Sequence, residues 1–224
     1  MRKKEEKDLI KFLVFTDLHY DYATHGDERI RQILGRAKSE EVDTPIIPKE
    51  EMEWLKKELE DDKDYVIFSH HSFTNQFHNR AVRNGQEVFD LIKGKNILLC
   101  MNGHDHGDDF NVVDQVPFYT LNSSYGPWIG FPNGDADLVP KYEYLHGYVP
   151  YDRALSAVVT IESDANRKHS GVIRIEGMQG NYESVTPAEL GLVDPYWNGV
   201  SVEPRVSSFV ISFDSMKKEI KDSI

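Results

Sequence analysis

Apolar and polar positions along the chain alternate between two spacings. Lys11 to Thr16 is a short apolar, β-branched and aromatic run that stops at a polar cluster, which predicts a buried strand ending at Asp17. From Glu28 to Ser39, Ile30, Ile33, Leu34 and Ala37 fall at i, i+3, i+4 and i+7 behind Asp27 in capping position, which predicts an amphipathic helix. A second helix is expected from Pro48, whose missing N–H costs nothing in a first turn. Glu50, Glu51 and Glu53 precede Lys56 and Lys57 there, the order that the helix dipole favours, and Met52, Leu55 and Leu59 form its apolar stripe. Tyr65 to Ser69 predicts a strand, Val88 to Lys93 a short helix stopped by Gly94, and Asn96 to Met101 a third strand.

Beyond Pro117 the helical spacing fades. Phe118 to Leu121, Ala157 to Glu162, Val172 to Glu176 and Ser208 to Phe213 read as strands, joined by stretches rich in Gly, Pro, Asn and Asp, with 194–204 as a long surface loop. The expected fold is therefore α/β in its first part (about 9–125) and β-rich in its second (about 126–224), an α+β arrangement of layered sheets with helices against them. No repeat or low-complexity tract marks a boundary, so one domain over 1–224 is expected.

Composition narrows the possible partners. With 224 residues and 39% hydrophobic content the chain has enough apolar material for an ordinary core. Its net charge of −12 and the lack of a basic block beyond Arg2 to Lys4 argue against extended nucleic-acid binding. The single cysteine, Cys100, excludes an internal disulfide framework and suits a reducing compartment. No apolar run approaches the roughly 20 residues of a membrane span, and the apolar stretch Phe12 to Phe15 is too short for a secretion signal. A cytoplasmic protein without membrane attachment is the expectation.

Three predicted strands end in residue types that bind metals. The first gives Asp17 and His19, the second Ser69-His70-His71, and the third runs into Gly103-His104-Asp105-His106. Alternate residues of an extended chain point the same way, so Asp17 with His19, and His104 with His106, would each aim two donors at one place. Oxygen and imidazole donors without thiolate suit Mn, Fe or Zn rather than Ca, and paired donors suit two-metal chemistry.

On these residues the chain resembles the calcineurin-like metallophosphoesterases, a family that includes purple acid phosphatases and cyclic-nucleotide phosphodiesterases. The likeness rests on Asp17 and His19 in FTDLHY, His70 in VIFSHHSF, and Gly103, His104 and His106 in NGHDHG, with the amphipathic stretch EEMEWLKKELEDD before the His70 strand. It implies a β-sandwich flanked by helices and hydrolysis of a small phosphomonoester or phosphodiester by metal-activated water. It implies Asp17, His19 and His106 as ligands of one divalent ion and His70 and His104 as ligands of its neighbour. His70 is preferred over His71 because the family's ligand precedes an x-Pro, and Ser72 stands where that proline would be.

The departures matter as much. The family's Gly-Asp motif, whose carboxylate bridges the metals, and its Asn-His pair, which binds metal and assists the substrate, have no counterpart here. Gly26-Asp27 precedes the first helix, where Asp27 serves as an N-cap. Between Ser39 and Pro48, where the family has several strands and both motifs, this chain has only residues 40–47, which reads as an internal deletion. Without the bridging carboxylate two dications repel with less compensation. Single-metal occupancy with little or no turnover is the expectation, with a non-catalytic remnant as the alternative, and exposed strand edges would favour self-association.

His71 and Arg80 are candidates for contact with a substrate phosphate, although a packed role for His71 and a solvated one for Arg80 are the commoner fates of such residues. Arg83, Asn75 and His78 have the same standing as Arg80. Nine of the chain's aromatic residues lie between Phe118 and Tyr151, either as a stacking wall or as packing between the two parts.

Overall fold

The computed structural model describes residues 9–14, 46–74, 81–127, 149–190, 203–214 and 217–222. In chain order the elements are β1 (Leu9–Val14), α1 (Lys49–Glu58), β2 (Tyr65–Ser69), α2 (Gly85–Ile92), β3 (Ile97–Asn102), β4 (Asp109–Val113), β5 (Val116–Thr120), β6 (Ala157–Ser163), β7 (Ser170–Glu176), β8 (Phe209–Asp214) and β9 (Lys217–Asp222). They form two sheets: a five-stranded antiparallel sheet ordered β1-β6-β7-β8-β9, and a four-stranded sheet ordered β2-β3-β5-β4. In the second sheet β2, β3 and β5 run parallel, and β4 returns antiparallel to β5. The fold is α+β, a sandwich with few helices. The helix expected over 28–39 and its cap Asp27 lie outside the described residues, as does most of the loop expected at 194–204.

The sheets are held by one apolar layer between them. Ala157, Val159, Ile161, Ile173, Ile175, Ile211 and Phe213 of the antiparallel sheet meet Leu99, Met101 and Tyr119 of the mixed sheet. Alternation along β7 and β8 sends the intervening residues Arg174, Glu176, Ser212 and Asp214 to the solvent face. The other face of the mixed sheet is covered by the helices, where Met52 and Leu59 of the α1 stripe and Val88 and Ile92 of α2 pack on Ile97, Cys100, Val116 and Phe118. The ring of Phe89 stands edge-on to Phe118 at 5.5 Å.

β3 is buried along its whole length, as expected of a central parallel strand. Its alternation breaks once. The pairing of β2 with β3 shifts between Tyr65 and Val66, which face Ile97 and Leu99 respectively. Leu98 is therefore the extra residue of a bulge, and this puts Ile97 and Cys100 on the helix side while Leu99 and Met101 enter the sandwich.

Local chemistry ends the elements where the sequence places the stops. Pro48 precedes α1, and its carbonyl accepts from the N–H of Met52 at 3.1 Å. Gly94, at φ 73°, follows α2 in the left-handed conformation that lets Lys95 N–H bond back to Ile92 O at 3.0 Å. Two strands go beyond those expected. β4 carries Asp109 and Asn111, and its hairpin to β5 turns on Asp114 and Gln115, both at positive φ, without the glycine that usually signals such a turn. β9 (KKEIKD) has a single apolar residue and reads as a charged tail. Among the described strands it is an outer one, bonded on one side, where lysines are common because they discourage further pairing.

Polar ties join the loops. His169, at φ 54° in the β6–β7 connection, has Nδ1 2.6 Å from Asp64 and Nε2 3.0 Å from Asp62, which fastens that connection to the segment ahead of β2. Asp152, just before β6, accepts from the side-chain amide and the backbone N–H of Asn181, both at 3.0 Å, and from Arg153. These donors, the Asn181 amide first, hold its carboxyl down at about 2. A carboxyl whose folded value lies below its unfolded value stabilises the fold above the unfolded value, near 4, and loses that contribution as pH falls toward 2. Thermal melts from pH 5 to pH 2 should show the native chain more stable than Asp152→Asn at the upper end and the two converging at the lower.

Candidate metal centre

The parallel register of β2 and β3 decides which side chains meet. Ser69 pairs with Asn102, so the residues leaving both strands emerge level at one edge of the sheet. The N–H of Gly103 donates to the carbonyl of His70 at 3.2 Å and fixes the two exits to each other. There, Nδ1 of His104 lies 3.2 Å from Nε2 of His70.

His71 joins them. Its ring centroid lies 4.0 Å from that of His104 and 5.0 Å from that of His70. Strand alternation predicts that His71 faces away from His70, but β2 ends at Ser69, and the backbone turns there with Ser69 Oγ donating to His71 O at 2.8 Å. Each of the three histidines offers a ring nitrogen within 4.8 Å of the other two. Among the described residues the group contains imidazoles and no carboxylate, and its members range from exposed (His70) to half-buried (His71, His104).

His106 is not part of this group. The extended-chain argument that pairs it with His104 does not apply, because Gly103 to His106 is a turn in which His104 and His106 both adopt positive φ, 66° and 54°. Left-handed backbone in two non-glycine residues so close together is strained, and such strain concentrates where side chains must be aimed. His106 is 4% exposed, and its Nδ1 lies 2.9 Å from Gly126 O. A carbonyl only accepts, so Nδ1 carries the proton, and in the neutral ring the lone pair is on Nε2, the orientation seen in metal-binding histidines. Gly126 in turn packs closely on the chain at Val149: a Cβ there would lie 2.0 Å from Val149 O.

Two residues past His106, Asp108 anchors the turn. Its carboxylate accepts from Tyr119 Oη at 2.9 Å, Arg205 Nε at 3.1 Å, and both the N–H and the hydroxyl of Ser207. Burial, with Asp108 alongside, pushes the Tyr119 phenol well above its ordinary range, so it remains a donor at every working pH. Nothing in the sequence pattern singles out Asp108, since its partners come from β5 and from the segment before β8. Asp17, His19 and Arg80 lie outside the described residues, as do Asn75, His78 and five of the nine clustered aromatics. Of the other four, Phe118, Tyr119 and Tyr151 are buried in packing, and Tyr125 is exposed.

A groove of about 520 Å³ opens beside His70 and His71. Ile46, Trp54, Phe68 and Phe73 line it, with Glu51 as its carboxylate. Trp54 and Phe68 are 61% and 57% exposed, and β2, which carries Phe68, is an outer strand among the described ones of its sheet.

No family profile matches the chain, and no curated protein matches it in sequence. Among solved structures it is similar to a dimetal phosphatase from Danio rerio, with a TM-score of 0.41 and 16% identity over 58% of this chain. The overlap spans 35% of that structure's length. Among the described residues, no helix is long and apolar enough to cross a membrane.

Proposed function

We propose that the chain is a metal-dependent phosphoesterase domain, which hydrolyses a phosphomonoester or phosphodiester with a divalent cation of the Mn, Fe or Zn class. The observation that carries this reading is the approach of His70 and His104 to 3.2 Å at the ends of two parallel strands, in the motif context that resembles calcineurin-like enzymes. The donor set fits a transition ion, since imidazole nitrogens are borderline ligands and the cluster is open toward the groove. In this reading His70 and His104 hold one cation, and Asp17, His19 and His106 are the donors for a second. A cation so placed supplies an acidified water and a clamp for phosphate oxygens.

The chain's own residues do the rest. The Gly126 carbonyl fixes the tautomer of His106, the Gly103–His70 hydrogen bond sets the spacing of the two strand exits, and Arg80 is the proposed partner for a phosphate oxygen. A second reading, a non-catalytic domain that binds at most one cation, is favoured by the missing Gly-Asp and Asn-His motifs, which leave two dications without a bridging carboxylate.

Hydrolysis of p-nitrophenyl phosphate and of its bis ester separates the two. Slow turnover is expected with Mn²⁺ or Zn²⁺, abolished by a chelator and restored by excess metal. Release of p-nitrophenol indifferent to chelation, or absent with every metal, would leave only the second reading.

A further inference from the structure

We propose that His71 is the third protein ligand of a site for one Zn-class cation, formed with His70 and His104; this rests on the reading of those two as ligands. Around an ion with metal–nitrogen bonds of about 2.0–2.1 Å, tetrahedral ligand atoms lie about 3.3–3.4 Å apart. The 3.2 Å between His104 Nδ1 and His70 Nε2 already matches that spacing. The nitrogen that His71 offers lies within 4.8 Å of both, so a modest ring rotation brings it into the same shell.

The backbone explains why His71 faces the other two rings. The turn after Ser69 carries it to the side on which His70 lies, and its ring tilts 49° to that of His104 rather than stacking flat against it. The alternative explanation of the cluster is a direct hydrogen bond between His70 and His104, with the His71 ring beside them. The three rings bring three lone-pair donors to one solvent-reachable point next to the groove, which is also the arrangement of a site with three protein ligands and one open position.

The donor chemistry predicts selectivity. Three imidazole donors favour Zn²⁺, Co²⁺, Ni²⁺ and Cu²⁺ over Mn²⁺, Mg²⁺ and Ca²⁺, which prefer oxygen. Metal preference should therefore differ from that of a site built on bridging carboxylates.

Titration of the metal-free chain tests this. One equivalent of Co²⁺ is expected to give the intense visible bands of a four-coordinate ion, and Zn²⁺ should displace it, with Mn²⁺ at least roughly tenfold weaker. His71→Phe should weaken Zn²⁺ binding by roughly 10- to 100-fold, while His71→Asn keeps a polar group and should still bind more weakly than the native chain. In the unaltered chain, the ring nitrogen resonances of His71 should shift on adding Zn²⁺ together with those of His70 and His104. Zn²⁺ binding unchanged in both His71 variants but lost in His104→Ala would remove His71 from the site and leave the other two ligands in place. Unshifted His71 resonances at saturation would overturn the proposal equally. Zn²⁺ binding that needs His71, without any hydrolysis, would support the site and count against the phosphoesterase reading alone.

Discussion

Replacing His104 with glycine is expected to reduce metal-dependent hydrolysis by roughly 100-fold or more while leaving the melting temperature within a few degrees of the native value. Loss of a partner that merely orients a ligand typically weakens affinity or activity by about 10- to 100-fold, and loss of the ligand itself exceeds this. The stability side follows from the backbone. His104 sits at φ 66°, where an L-residue pays about 1–2 kcal/mol that glycine does not. Glycine gives back about 0.5–1 kcal/mol through the greater freedom of the unfolded chain, so the two effects nearly cancel. His104→Ala loses the same ring but keeps the strain, and it should melt lower than His104→Gly while being just as inactive. Assays and melts of both variants check the pair of statements. A glycine variant that retains turnover would remove His104 from the chemistry, and one that melts far below the alanine variant would contradict the account of the strained turn.

Asp108→Ala should be the most destabilising single change at this end of the sandwich, by about 3 kcal/mol. The Asp108 side chain is 2% exposed and accepts hydrogen bonds from three residues. Its removal takes the acceptor from the half-buried Ser207 N–H and hydroxyl, each worth about 1–3 kcal/mol when left fully unmet. Tyr119 keeps a second acceptor in Ser207 O at 3.0 Å, so its share is small. Arg205 is 40% exposed and also reaches Glu203, so solvent offsets most of its loss. For a chain of this size the sum corresponds to a fall in melting temperature of roughly 10 °C. Tyr119→Phe should lose only about 1 kcal/mol. Denaturant melts of the two variants measure this, and a difference under about 1 kcal/mol between Asp108→Ala and the native chain would mean that the network does not hold the turn.

Most strands were legible because each is a short apolar run with its own stop signal, and Gly94 and Pro48 mark helix ends by backbone chemistry alone. Other features depend on partners distant in sequence. The bulge at Leu98 exists only in the pairing with β2, β9 is a strand because β8 offers it an edge, and the Asp114–Gln115 turn adopts positive φ under the constraint of its hairpin. The site divides in the same way. Histidines at two strand ends can be read directly, but their meeting requires β2 and β3 to be parallel neighbours in the register that sets Ser69 against Asn102. Strand periodicity points His71 the wrong way because it carries the alternation past the residue where the strand stops. The role of Asp108 depends on residues 203–207 folding back over the turn, which no local pattern announces.

The pairing of β1 with β6 sets Leu9 against Glu162, so the outermost strand of the antiparallel sheet waits for a partner that a ribosome delivers some 150 residues later. At translation rates of about 5–20 residues per second, this leaves the segment without its neighbour for on the order of ten seconds. The mixed sheet, whose strands all lie within 65–120, is finished well before that moment, and the nascent polypeptide must shelter Phe12 by other means until β6 emerges.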